Sequence, residues 1–425
     1  MLSVKSSDHL LETRASTGNC RFCNTPLQHV MVDLGMSPPC ESYVSFEQVN
    51  HMEPFYPLCV YVCERCFLVQ LQEYISSQAI FSHYAYFSSY STSWLQHAER
   101  YVTMISERLG LGSQSKVVEL ASNDGYLLQY FKQRGIPCLG IEPAANVAAA
   151  AQAKGIETVV AFFGRETAQK LRDEGLQADL LLGNNVLAHV PDINSFVGGM
   201  QVLLAPGGVI TMEFPHLVRL MEGNQFDTIY HEHFSYLALG VVERIFAHHG
   251  LTVFDVDELA THGGSLRIYA CHSGPEAPAP SERIAKVRRE EADWHLDSLE
   301  GYAGFAQQVI TTKFNLLDCL IQLKRQGKTI AGYGAPGKGN TLLNYCGIRT
   351  DLLDYTVDRN PFKHGKYLPG THIPIFSPDR IAETRPDYLL ILPWNLKDEI
   401  VTQMAYIREW GGQFIVPIPQ VEIIP

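Results

Sequence analysis

Between residues 117 and 215, short and almost wholly apolar runs alternate with longer runs of helical spacing. KVVELAS, PCLGIEP, ETVVAF, ADLLLGNN and VITMEFP have the near-continuous hydrophobicity of strands covered on both faces. YLLQYFKQRG (ended by Gly135), NVAAAAQAKG and SFVGGMQVLLAPGG are the helices between them. Strands separated by helices predict a parallel, doubly wound sheet. The alternation resumes beyond an aperiodic linker, GPEAPAPSE around residues 274–282, and a charged helix, RIAKVRREEADWHLDSLEGY. There TIAGYGA, LLDYTVD, PDYLLIL and GQFIVPIP read as strands, and NTLLNYCG and DEIVTQMAYIREWG as helices. The two regions open alike, with Val117-Val-Glu-Leu-Ala-Ser-Asn-Asp-Gly and Ile330-Ala-Gly-Tyr-Gly-Ala-Pro-Gly, which hints at an ancient duplication.

The first 75 residues follow another pattern. They are punctuated by proline and cysteine, with MVDLG, YPLCVYVC and FLVQLQ as short strands. An aromatic, hydroxyl-rich stretch, His83–Ser91, and a helix through about Ser93–Leu109 lead from there into the first sheet. The fold class expected is α/β, with an N-terminal zinc-binding module over 1–75. A Rossmann-like domain follows over 76–273, and a second Rossmann-like α/β domain over 274–425.

The metal enters through Cys20-Arg-Phe-Cys23 and Cys63-Glu-Arg-Cys66. Each C-x-x-C turn brings two thiolates to one ion, and two turns complete a closed S4 zinc shell with no position left for substrate. The zinc is therefore expected to be structural. Cys40 and Cys59 lie nearby, and Cys59-x3-Cys63 is a substitute for one pair; the two C-x-x-C pairs are preferred. Burial of all six as apolar side chains is the alternative.

Composition narrows the classes. The chain has 425 residues, 46% hydrophobic and 18% charged, enough for sizeable cores. Ten cysteines are sparse at this length and suit a reducing cytoplasm. A net charge of −12 without a Lys/Arg block argues against nucleic acid, though not against a small anionic substrate. No apolar run is long enough for a membrane span, and MLSVKSSDHLLETRAST lacks the apolar core of a secretory signal. A cytoplasmic protein without a membrane partner is expected.

In doubly wound sheets, ligands lie beyond the carboxyl ends of the strands. The first strand of the 117–215 region ends in Glu119 and the turn Asn123-Asp124-Gly125; the second ends in Glu142-Pro143. An acid at the second position suits a ribose diol, since a carboxylate accepts two hydroxyl hydrogen bonds. The turn has one glycine and two polar residues, unlike the G-x-G-x-x-G loop that lets a pyrophosphate approach. That favours S-adenosylmethionine over a nicotinamide cofactor. A domain without a ligand, or a Glu142 that is merely solvated, is the plain alternative. The fourth strand runs into Asn184-Asn185-Val186-Leu187-Ala188-His189, which would lie beside the methyl donor, with His189 facing the reacting centre.

Tyr230-His231-Glu232-His233-Phe234-Ser235-Tyr236 is the densest group of ionisable residues. A histidine takes a proton near neutral pH and a glutamate can orient it. Metal binding by His231, His233 and His189, or a purely structural hydrogen-bond cluster, stands beside that reading; the spacing is not H-E-x-x-H. Further on, Gly332-Tyr333-Gly334-Ala335-Pro336-Gly337-Lys338-Gly339-Asn340 follows a strand and opens a helix. It offers N–H groups and the Lys338 charge to an anion without being a Walker loop. With Lys363 and His364 it is expected to hold a diphosphate; a tight turn that shapes the domain or its interface is the alternative.

Five segments together resemble the sugar C-methyltransferases, which methylate C3 of nucleotide-linked 4-keto-deoxysugars. They are the paired C-x-x-C front, YAYFSSYS, VVELASNDGYLL, FDTIYHEHFSYL, and GYGAPGKGNTLLNYCGI with VDRNPFKHGKYLPGTHIPI. The resemblance spans nearly the whole chain. It implies a four-cysteine zinc module, an S-adenosylmethionine domain, a related C-terminal domain and a monomer acting on a nucleotide-diphosphate sugar, with thymidine diphosphate as the nucleotide. The sugar site it implies is His189, Tyr230, Glu232 and His233 with a tyrosine from Tyr84, Tyr86 and Tyr90. His233 or Tyr230 would take the C3 proton, Glu232 would orient His233, and His189 would hydrogen-bond the oxyanion. An O- or N-methyltransferase, a zinc-containing scaffold and a nucleotide-sugar dehydrogenase are the competing readings.

Overall fold

A computed structural model describes residues 11–14, 18–81 and 87–425. Three sheets organise it. The central one runs Thr158–Val159, Cys138–Ile141, Val117–Leu120, Ala178–Asn184, Leu204–Pro215, Ser265–His272, Leu251–Leu259. Its first five strands are parallel, as the alternation predicts. Leu180, Leu181 and Leu182 are all fully buried because helices cover both faces. The order reverses between Val117–Leu120 and Ala178–Asn184, so the turn at Asn123–Gly125 and the segment Asn184–His189 emerge side by side.

The last two strands form an antiparallel hairpin, with Ser265–His272 inserted beside Leu204–Pro215. The sequence reading assigned neither. Helix Thr92–Leu109 starts where the Ser91 hydroxyl accepts from Trp94 N–H and ends at left-handed Gly110. Its Ala98, Tyr101, Val102 and Ile105, at i, i+3, i+4 and i+7, pack onto this sheet.

The C-terminal sheet runs Ile375–Phe376, Tyr355–Val357, Ile330–Tyr333, Tyr388–Ile391, Gln413–Val416, Glu422–Ile424 and is parallel except for its last strand. Helix Phe305–Arg325, the longest in the chain among the described residues, was also unread; it packs against strand His29–Ser37 and helix Gly337–Cys346. Helix Glu282–Asp293, which the division at residue 274 gives to the C-terminal domain, lies on the central one. Glu291 binds the imidazole of His216 (2.8 Å) and the Gly240 N–H (2.9 Å).

The N-terminal sheet is antiparallel, in the order Glu12–Thr13, His29–Ser37, Tyr56–Val62, Val69–Leu71, Ser235–Tyr236. Its fifth strand comes from the central domain: Ser235 stands opposite Gln70 and Tyr236 opposite Val69.

Beneath the central sheet's hairpin, fully buried Glu213 accepts from Arg267 (2.6 Å), His97 (2.9 Å) and the Thr261 hydroxyl (2.8 Å). Burial would raise its pKa, but His97 and Arg267 overcome this and hold it at about 2. Arg267→Met removes one of that carboxylate's three donors, its permanently charged one. It should destabilise the central domain by about 3 kcal/mol or more, read as a lower denaturation midpoint with little change in slope.

Candidate active site

The sulfurs of Cys20, Cys23, Cys63 and Cys66 lie within 4.8 Å of one another. Cys20–Cys66 is 3.5 Å and Cys23–Cys63 is 3.4 Å. A tetrahedron of ~2.3 Å zinc–sulfur bonds has edges of about 3.8 Å, so the set fits one ion with no large movement. The Gln70 amide donates to Cys20 Sγ (3.2 Å) and accepts the Arg21 N–H (2.9 Å), a second layer around the shell. Cys40 and Cys59 stand outside it. Burial pushes the Cys59 thiol up to about 11, and Cys40, raised by burial and by Glu232, donates to Glu232 Oε1 at 3.7 Å. His231 is also elsewhere: its Nε2 meets the Pro57 carbonyl at 3.2 Å, on the module's flank. Among the described residues the four cysteines are the metal-type cluster, and the three-histidine alternative does not assemble.

The turn after Val117–Leu120 is held in left-handed conformations at Ala121, Asn123 and Gly125. A side chain at Gly125 would put its Cβ 2.4 Å from Ile156 Cδ1. Glu142 fastens the turn, accepting from Asn123 N–H (2.9 Å) and Ala144 N–H (2.8 Å). Half of its acceptor capacity is thus spent on backbone, and Pro143 follows half-buried. Glu119 is buried with one oxygen lacking a partner; burial, then Glu142 and Asp124, raise its pKa. Asp124 Oδ1 and Asn185 Oδ1 are also buried without partners. Three orphan acceptors around one turn fit a ligand that brings donors, such as hydroxyl or ammonium groups. From the aromatic stretch, Tyr84 and Tyr86 lie outside the described residues. Tyr90 is 67% exposed, and its segment lies over the turn: the Ser88 N–H meets Asn123 Oδ1 at 2.9 Å.

At the mouth of the same strands, His189, Tyr230 and His233 come together. The His233 ring centroid lies 4.0 Å from that of Tyr230 and 4.6 Å from that of His189. All three are half-buried. The sequence reading gave Glu232 the task of orienting His233; the structure gives it to a backbone carbonyl. His233 Nδ1 donates to Thr228 O at 2.7 Å, while Glu232 receives the Cys40 thiol. This fixes the tautomer and leaves Nε2 as the acceptor. Burial lowers the His189 pKa to about 4, against a backbone hydrogen bond at Glu232. It lowers His233 well below its ordinary value, with His189 adding to the effect. Burial and the neighbouring Cys40 raise Tyr230. The cluster is thus one of neutral imidazoles and a neutral phenol.

The C-terminal glycine loop abuts this group. Thr341 donates to Ile229 O (3.0 Å), and Asn340 donates to Cys40 O (2.6 Å). Lys338 lies over Trp394 (4.7 Å) and donates to Asn395 (2.9 Å). Its charge bears on His233 and on Asp227, a fully buried acid that binds Trp394 Nε1 (2.7 Å) and that burial raises to about 6. Asp227 was overlooked, although it stands in the FDTIYHEHFSYL segment. Lys363 is turned to the other side of the loop: it donates to Ala335 O (2.8 Å) beside Asp358 and Tyr43. Asp358 Oδ2 accepts the Ala335 N–H at 2.7 Å. This repeats the Glu142–Asn123 bond in the second sheet and leaves fewer free N–H groups for an anion.

Two outcomes follow from this geometry. Metal analysis should find one zinc per chain, and Cys63→Ser should lose it; hydrogen exchange should then speed up at Leu71 and Ser235, whose backbone pairing borders the shell. Both imidazoles bind protons more weakly here than in an unfolded chain, so NMR should find His189 and His233 neutral from pH 8 down to about 5.5; a titration near 6.5 would contradict the burial argument.

Residues 20–81 match the family described as a zinc binding domain, 94–256 a methyltransferase domain, and 260–419 a C-methyltransferase C-terminal domain. The C-methyltransferase NovU of Streptomyces niveus is 38% identical over 410 residues, covering 95% of this chain and 96% of that one. A ubiquinone biosynthesis O-methyltransferase of Pseudomonas aeruginosa is 32% identical over 111 residues, 26% of this chain and 47% of its own. The PH0226 protein of Pyrococcus horikoshii aligns with a TM-score of 0.37 at 15% identity, covering 48% of this chain and 100% of that one. With its cysteine cluster, its central sheet and 38% identity to one such enzyme over 95% of its length, the chain belongs to the C-methyltransferase family.

Proposed function

We propose that the protein transfers a methyl group from S-adenosylmethionine to C3 of a nucleotide-diphosphate 4-keto-deoxysugar. The observation that carries this reading is the His233 imidazole. Its Nδ1–H is committed to a carbonyl, its Nε2 lone pair is free of that bond, and it lies in ring contact with a phenol and a second imidazole. Methylation at oxygen or nitrogen attacks through an existing lone pair, whereas methylation at carbon first requires a C–H bond to break. A buried neutral base suits that demand.

A ketone at C4 makes the C3–H bond acidic. His233 Nε2, or the Tyr230 oxygen relayed through it, takes the proton; the bonding pair moves into C3=C4 and the carbonyl pair onto oxygen. His189, in ring contact with His233, borders that oxygen; its hydrogen bond to the Glu232 backbone takes the one N–H a neutral imidazole has. Glu232 supports the segment by accepting from Cys40, and so ties it to the metal module. Glu119, Asp124 and Asn185 offer unpaired acceptors to the cofactor, with Glu142 shaping the turn between them. S-adenosylmethionine supplies an electrophilic methyl on a sulfonium, which leaves the protein to position rather than activate it. Lys338, on the catalytic side, is the cation for the diphosphate, for which thymidine diphosphate is the expected nucleotide. Lys363 acts by shaping the loop.

The test is solvent exchange. In D2O without S-adenosylmethionine, the native protein should exchange the C3 hydrogen of a thymidine diphosphate-linked 4-keto-deoxysugar. His233→Asn should slow both exchange and methylation by about 10²–10⁴, with S-adenosylhomocysteine affinity kept within about twofold. Methylation without C3 exchange would remove the carbon-acid step.

A further inference from the structure

The C-terminal domain grips the segment that leads to His233. Asn224 donates to the Thr312 hydroxyl (2.6 Å), and the Phe226 ring meets Tyr345 edge-on at 5.5 Å. Asp227 Oδ2 accepts from Trp394 Nε1 (2.7 Å), and Thr341 donates to Ile229 O (3.0 Å). Thr341 and Tyr345 belong to helix Gly337–Cys346, which follows strand Ile330–Tyr333; Trp394 follows strand Tyr388–Ile391. These strands are parallel neighbours, and the order of their sheet reverses between them. A doubly wound sheet offers that crevice to a ligand. Here its walls hold a piece of the central domain.

The same piece sets the direction of the His233 ring. Asp227 sits in a single turn, Phe226–Thr228, closed by Ile229 N–H to Phe226 O at 3.0 Å. The next residue supplies the carbonyl that takes the His233 Nδ1–H at 2.7 Å. The Thr228 N–H and hydroxyl both return to Gln225 O (3.1 and 2.7 Å), which holds the turn but not the peptide after it. A backbone carbonyl has no rotamers of its own; it points where its planar peptide is set. Two bonds from the C-terminal domain bracket that peptide, at the Asp227 side chain before Thr228 and at the Ile229 carbonyl after it. Because the ring packs 4.0 Å from Tyr230 and 4.6 Å from His189, a tilt of the peptide would carry it out of a close group.

Adhesion between domains would not call for Asp227. It is wholly buried, as are Trp394 and Thr341. A buried carboxyl costs more than an apolar side chain that would fill the same space. What the acid adds is direction, through one bond to a donor that is itself fixed. Lys338 lies over the face of that indole at 4.7 Å and donates to Asn395 at 2.9 Å.

We propose that Asp227, anchored by the Trp394 indole of the C-terminal domain, is a positioning residue that fixes the Thr228 carbonyl and through it the His233 imidazole. Asp227 takes no part in making or breaking a bond. The C-terminal domain thereby completes a site whose reacting groups all belong to the central one. The role of His233 as base rests on the carbon-acid reading; the hydrogen bond that orients it does not.

The experiment joins NMR of protein labelled at histidine nitrogen to C3 deuterium exchange on a thymidine diphosphate-linked 4-keto-deoxysugar in D2O. In the native protein the His233 Nδ1–H, identified by its loss in His233→Asn, should give a downfield, slowly exchanging resonance. Trp394→Phe keeps a ring beneath Lys338 and removes the indole N–H. It should shift or broaden that resonance and slow C3 exchange by about 10²-fold, the scale of one ångström of misplacement, with S-adenosylhomocysteine affinity within about twofold. Asp227→Leu should behave in the same way. Asp227→Asn keeps an acceptor for the indole, so it should hold the resonance in place and recover most of the native rate. Should Trp394→Phe or Asp227→Leu melt earlier yet keep the resonance and exchange within threefold of native, the pair is a domain contact and the assignment is overturned. An Asp227→Asn protein that falls as far as Trp394→Phe overturns it as well, since the bond to the indole is then not what matters. A native protein without C3 exchange removes the carbon-acid reading, and the resonance then decides the positioning role by itself.

Discussion

Ser235 and Tyr236 hydrogen-bond alongside Gln70 and Val69, and by that pairing two residues of the central domain become the edge of the metal module's sheet. The contact is small, but it fixes much else. His233 lies two residues before it, and its neighbour Phe234 donates to Ala188 O (2.8 Å) and accepts from Leu71 N–H (3.0 Å). The segment with His233 is therefore clamped between the strand end carrying His189 and the strand following the cysteine shell. Gln70 closes the circuit, since the residue opposite Ser235 is also the one whose amide donates to Cys20 Sγ. A metal in a closed four-cysteine shell has no position left for substrate. A metal bound by the four cysteines would tie down the end of that sheet, whose edge strand follows His233 by two residues.

A second hub works from the other side. Glu213 ends the fifth strand of the central sheet with three donors around a buried carboxylate. Each donor ties in a further element. His97 stacks on Trp94 at 4.9 Å, Arg267 fixes the antiparallel hairpin, and Thr261 opens its turn. A buried charge costs a great deal unless it is fully paired, so the carboxylate tolerates few alternative arrangements of its partners. The site is thereby rigid on two walls, one built from backbone pairing around a metal shell and one from a saturated ion cluster.

What the sequence disclosed follows from how local each cause is. The cysteine pairs are legible because one ion dictates their spacing. The central strands are legible because burial on both faces leaves a continuous apolar run, and Ala178–Asn184 needs no partner to be recognised. The edge strand Ser235–Tyr236 is two residues long and carries no periodicity. Strand Leu251–Leu259 alternates buried with less buried positions and carries three acids, and Arg267 interrupts the buried run of Ser265–His272, so neither shows a continuous apolar run. Residue types in YHEHFSY pointed to proton chemistry, but their partners lie far away in the chain. Glu232 meets Cys40 across 192 positions, and His233 is oriented by a carbonyl, which no side-chain pattern can announce. His231 and His233 look equivalent on paper, yet one faces Pro57 and the other faces Tyr230.

The two hubs also settle a tension in the chemistry. Enclosure keeps His189 and His233 neutral, which secures the base form at physiological pH but makes each imidazole a weaker base than one in water. A weak base removes a proton from carbon only if the carbon acid is strengthened to match. Strengthening comes from donors aimed at the oxygen that receives the charge, and those donors act most strongly in the same enclosed surroundings that weakened the base. Under the proposed proton abstraction, burial shifts the work from the base to the oxyanion side, where rigid placement counts for more than basicity. On that proposal rigid placement matters, and the segment is held from outside: the Thr228 carbonyl holds His233, and pairing with the strand beside the cysteine cluster holds the residues that follow it.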